Sequence, residues 1–210
     1  MFEALTYQMM LKDINKNAQE KGVLDDSVGI LITRPELPTG KDILNSLEYY
    51  HFRTGKSVNF YLPGYGAYWN STDYPDKKIV TTIDNVNWSF SSRMFTLFIE
   101  DLEKYLKWQY SGESELLLVG LKEGMLSYEK VMQFYLDKMI RDGVIYSVNH
   151  FFEDLFRICK NREALNQISN TLGTNKIKQV SINALLEKLP LGLGKIFTQE
   201  KYFCVKNMEK

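Results

Sequence analysis

The chain is poor in the residues that build metal sites and disulfide frameworks. It has two cysteines, Cys159 and Cys204, and two histidines, His51 and His150, in 210 residues. Neither pair stands at a CxxC or comparable ligand spacing, so no metal and no resident cofactor are expected. An excess of either charge is also missing: Lys plus Arg and Asp plus Glu each number 26. No overall field therefore draws the chain to nucleic acid or to an anionic membrane, and no basic stripe or readout motif appears. No apolar run approaches the roughly 20 residues that span a bilayer. The opening MFEALTYQMMLKDINKNAQEKG has early acidic residues, no basic n-region and no small-residue cleavage site, so it does not read as a secretory signal. These absences together point to a cytoplasmic protein with reduced thiols.

Gly/Ser-rich linkers, repeats and low-complexity tracts are missing as well. The expected organisation is an α/β domain over residues 1–160 and a small α+β appendage over 161–210, packed on the same core. Fifty residues without disulfide or metal rarely hold a core alone.

What is present is apolar periodicity and many aromatics, with 13 Tyr, 12 Phe and 3 Trp. Leu5, Met9, Met10, Ile14 and Ala18 recur at helical spacing, and Gly22 follows as a cap. Residues 28–64 read as strand, polar loop, amphipathic helix and strand, one βαβ half-turn. Strands are further expected at Lys78 to Ile83, Val86 to Phe90, Glu115 to Gly120 and Val144 to Val148. Helices are expected from Ser91 or Ser92 to about Tyr110, from Ser127 through Ile140, and through Phe151, Phe152, Leu155 and Ile158. The C-terminal part reads as a helix near Ile182 to Leu189, then two short strands in KIFTQEKYFCVKN. The fold class expected from this alternation is a Rossmann-like, mainly parallel sheet with helices on both faces.

In such sheets ligands sit beyond the carboxyl ends of the strands, which directs attention to three loops. The first, Arg34 to Lys41, ends in TGK before a helix, where free amides and the helix dipole favour an anion. It is not a phosphate loop: GxxxxGK[ST] needs Gly where Pro35 stands and Ser or Thr where Asp42 stands. Either Arg34, Thr39 and Lys41 meet a carboxylate, phosphate or ribose, or Thr39 caps the helix while the two cations are solvated. The second loop, Tyr65-Gly66-Ala67-Tyr68-Trp69, offers flat rings beside a glycine, suited to a nucleobase or to pinning the loop on its own body. The third, Lys122 to Glu129, places Glu123 and Glu129 before and inside an expected helix. There Glu129 would act as nucleophile or would stabilise an oxocarbenium ion, unless both acids only answer the helix dipole.

GILITRP at 29–35, SVNFYLPG at 57–64 and Glu129 after ELLLVG resemble the nucleoside 2-deoxyribosyltransferase and TIR-like group of α/β domains over residues 28–145. The stretch Gly124-Met125-Leu126-Ser127 departs from the Asp-Gly-Thr type of turn that precedes the transferases' glutamate. The resemblance implies a nucleoside- or nucleotide-like ligand at the strand ends, with cleavage or transfer at its N-glycosidic bond. Glu129 would then be catalytic, and Arg34, Thr39, Lys41, Tyr65, Gly66, Trp69 and Glu123 would bind. The competing expectation is a non-catalytic module that senses a ligand or contacts another protein or a second copy through the same loops.

Overall fold

A computed structural model of the chain describes residues 2–4, 6–21, 27–54, 58–160, 196 and 199–210. The order of elements is β1 (Phe2–Ala4), α1 (Tyr7–Lys21), β2 (Ser27–Ile32), α2 (Pro38–Asn45), α3 (Leu47–Thr54), β3 (Asn59–Pro63) and β4 (Tyr65–Ala67). There follow β5 (Lys78–Ile83), β6 (Val86–Phe90), α4 (Ser92–Tyr105), β7 (Glu115–Lys122), β8 (Met125–Tyr135), α5 (Leu136–Arg141), α6 (Val148–Lys160) and β9 (Phe203–Lys206). Among the described residues no helix is long and apolar enough to cross a membrane. Leu5, the caps at Gly22 and Gly55, the helix at 182–189 and the body of the appendage lie outside the described residues.

The half-turn at 28–64 is present: β2 and β3 run parallel, with Val28 opposite Asn59 and Ile30 opposite Tyr61. Its crossover is two short helices, because the chain leaves helical geometry at Ser46, whose N–H still bonds the Ile43 and Leu44 carbonyls. Ser91 caps α4 as its sequence position suggests, its hydroxyl accepting from the Met94 N–H at 3.1 Å.

The expected mainly parallel Rossmann-like sheet is overturned. The main sheet has six strands in the order β1-β3-β2-β7-β8-β9, and only the β1–β3 and β2–β3 pairs are parallel. β7 lies antiparallel on β2, from Ser27 opposite Gly120 to Ile32 opposite Glu115. β8 and β9 continue the antiparallel order. A second, three-stranded antiparallel sheet holds β4, β6 and β5. The strands at 78–83 and 86–90 therefore belong to a separate hairpin, whose Asp84 and Asn85 take φ of 49° and 62°. Two successive left-handed residues make the turn whose twist matches antiparallel strands. A parallel sheet needs a crossover after each strand. Here the chain leaves β3 through this hairpin and α4, and re-enters the main sheet at the carboxyl end of β2.

The helix expected from Ser127 is a strand as far as Tyr135, and only Leu136–Arg141 is helical. Between the Leu118–Met132 and Gly120–Ser127 pairs the register shifts, leaving extra residues on β8. This bulge puts buried side chains at Tyr128, Val131 and Met132. The strand expected at Val144 to Val148 is also absent. Residues 142–147 form a turn in which the Val144 N–H bonds the Met139 carbonyl at 2.9 Å, and α6 begins at Val148.

The core is strongly aromatic. Tyr50, Phe60, Tyr61, Phe98, Phe134, Phe151, Phe152 and Phe156 are fully buried. The Phe152 ring lies 5.0 Å from Tyr50 and 5.8 Å from Phe60, which locks α6 over the β2–α2–α3–β3 unit. Each such ring contributes about 1.5–3 kcal/mol through removal from water. On α1, Met10, Ile14 and Ala18 face inward, Asp13 accepts from the buried Tyr61 hydroxyl at 2.6 Å, and the Tyr7 and Tyr128 hydroxyls meet at 3.0 Å.

The closest backbone approach is at Gly40 in the first turn of α2. A Cβ there would stand 2.0 Å from the Arg34 carbonyl oxygen and 2.9 Å from Thr33 Oγ1. Because the first obstacle is backbone, Gly40→Ala is expected to lower stability by about 2–3 kcal/mol, as overpacking does. Denaturant midpoints measure this, and an unchanged midpoint would contradict the placement of α2 on the end of β2.

Candidate functional site

At the carboxyl end of β2 the polar side chains mostly bond one another. Thr33 is fully buried, its Oγ1 2.8 Å from Ser114 Oγ, and its carbonyl accepts from the Tyr65 hydroxyl at 3.1 Å. Tyr65 is itself fully buried, and burial holds its hydroxyl far above the ordinary tyrosine range. Thr39 is buried in the first turn of α2 without capping it: the N-cap is Leu37, which offers no side-chain bond, and Pro38 follows. Arg34 is half-exposed and pairs with Glu36 at 3.6 Å, while Lys41 is exposed. Beside Arg34, burial pushes the Tyr110 hydroxyl up to about 12, with the guanidinium charge working in the opposite direction.

The aromatic loop is pinned to its own body. Gly66 pairs with Ser89 within the small sheet. The Trp69 ring stacks on Tyr74 with centroids 4.7 Å apart, and its carbonyl accepts from Lys77 Nζ. Tyr68, between them, has φ 59° and is 87 % exposed.

Arg34, Thr39 and Tyr65 are thus brought to one edge, but the third loop is not. Since β7 is antiparallel to β2, its carboxyl end lies beyond Ser27, at the far end of the sheet. Glu123 and Gly124 form a hairpin turn there, with φ 54° and 78°, and Glu129 is an exposed residue of β8. The expectation that Glu129 occupies the first turn of a helix is corrected accordingly. His150 faces the buried Asp154 at 3.6 Å, and the Cys159 side chain lies outside the described residues.

A polar cluster that the motifs did not reveal crosses β7, β8 and β9. The register sets Glu115 opposite Tyr135 and Gln133 opposite Cys204, with Lys206 two residues further along β9 on the same face. Glu115 is fully buried and accepts from Trp108 Nε1 at 3.2 Å, from the Ser111 N–H at 3.2 Å and from Gln133 Nε2 at 2.7 Å. The bond from Nε2 fixes the amide of Gln133, because the reversed amide would set oxygen against carboxylate. Its Oε1 therefore faces the thiol and accepts from Cys204 Sγ at 3.7 Å. The Tyr135 hydroxyl lies 3.7 Å from the same sulfur and accepts from Lys206 Nζ at 3.3 Å. With the thiol proton given to Gln133, the phenol proton is directed at sulfur. Every donor then points the same way, from an exposed ammonium through phenol, thiol and amide to a buried carboxylate.

Burial, followed by the neighbouring sulfur, raises the Tyr135 hydroxyl. Burial works against the Lys206 ammonium, but the Cys204 charge and the Tyr135 bond outweigh it and hold the amine above its ordinary value. A cleft of about 460 Å³ is lined by Glu103, Leu106, Lys107, Trp108, Gln109 and Lys210. The signal for this cluster was a single polar residue inside an apolar run: Glu115 heads ELLLVG, and Gln133 interrupts VMQFYL. Among the described residues no group of three or more His, Cys, Asp or Glu is placed to hold a metal ion.

Comparison with models of known protein families, with curated proteins and with solved structures finds no match to this chain.

Glu115→Leu would leave two buried donors, Trp108 Nε1 and Gln133 Nε2, and the part-buried Ser111 N–H without this acceptor and is expected to cost on the order of 3 kcal/mol or more. Glu115→Gln keeps the shape and one carbonyl oxygen and should cost less. Urea titrations of both variants test this, and a loss below about 1 kcal/mol for the leucine variant would show that the carboxylate does not hold the cluster.

Proposed function

We propose that this domain is a non-catalytic interaction module and that its contact surface includes the loop following β4. One observation carries the reading: the antiparallel β7 sends Glu123 and Glu129 to the end of the sheet opposite Arg34, Thr39 and Tyr65. A nucleotide held at the carboxyl end of β2 would not meet the carboxylate meant to act on it. Thr33, Thr39 and Tyr65 are also already packed at that end.

Tyr68 supports the positive half of the proposal. A bulky residue in the left-handed region costs about 1 kcal/mol or more and persists where its surroundings impose it. Here Lys77 and Tyr74 hold the neighbouring Trp69, and the result is a tyrosine ring presented almost wholly to solvent. Tyrosine supplies a large contact area at low entropic cost and is enriched among residues that anchor protein partners.

Two measurements test the reading. Incubation with a panel of nucleosides, nucleotides and NAD, followed by chromatography of free base, is expected to show no release. Release that disappears in Glu129→Gln would restore N-glycosidic chemistry as the function. Separately, Tyr68→Gly should leave stability unchanged or raise it by up to about 1 kcal/mol, since glycine takes positive φ without strain. A clear loss of stability would mean that Tyr68 serves the fold and does not act as an anchor.

A further inference from the structure

We draw no further inference here: the strongest candidate, the cleft lined by Leu106, Trp108 and the exposed Lys107, Gln109 and Lys210, carries nothing because nothing in the structure shows what covers it.

Discussion

The six-residue antiparallel pairing of β7 on β2 is the constraint on which the rest of the molecule depends. It joins the parallel strands β1, β3 and β2 to the antiparallel strands β7, β8 and β9. It also delivers Glu115 to the carboxyl end of β2, beside the Thr33–Ser114 contact. A buried carboxylate there requires donors, and Trp108, Ser111 and Gln133 supply them from the preceding connection and the next strand. The chemistry that a parallel sheet would gather at one edge is thereby spread over two ends and one face.

Local signals were strong where a structure is local. The apolar run of β2, the prolines after it and the stripe on α2 and α3 identify the half-turn, because a twice-covered strand and a one-sided helix differ in period. Ser91 announces the start of α4. The tandem Asp84-Asn85 has the composition of a tight hairpin turn, and the chain reverses there.

Strand direction is a different matter. Whether β7 lies parallel or antiparallel to β2 depends on where a chain of some eighty residues returns, and ELLLVG reads the same either way. β8 misled for another reason: the stripe Val131, Met132, Tyr135, Leu136, Met139 and Ile140 has helical spacing, but its first three residues lie on a strand buried on both faces from Val131 to Phe134 and only the rest lie on α5. The Glu115–Gln133–Cys204 cluster assembles from the β7–β8 hairpin and a third strand, with Cys204 lying 71 residues beyond Gln133, and only the isolated polar residues in apolar runs hint at it. Arg34, Thr39 and Tyr65 were placed at a common edge by the half-turn, whereas Glu123 and Glu129 were displaced from it by the direction of β7.

The bulge in β8 also governs which changes of chain length this protein can absorb. Side chains on a strand alternate between faces, so one residue more or fewer shifts every later position to the opposite side. Between Ser127 and Met132 that parity decides whether Gln133 meets Glu115 or turns away from it. The Tyr128 carbonyl, which accepts from the Met208 N–H at 2.9 Å, would lose that partner by the same slip. Exchanging the exposed residues Glu129 and Lys130 for others leaves this arithmetic intact. Insertion or deletion of a single residue does not, so the segment accepts exchange at these two exposed positions but not a change of length.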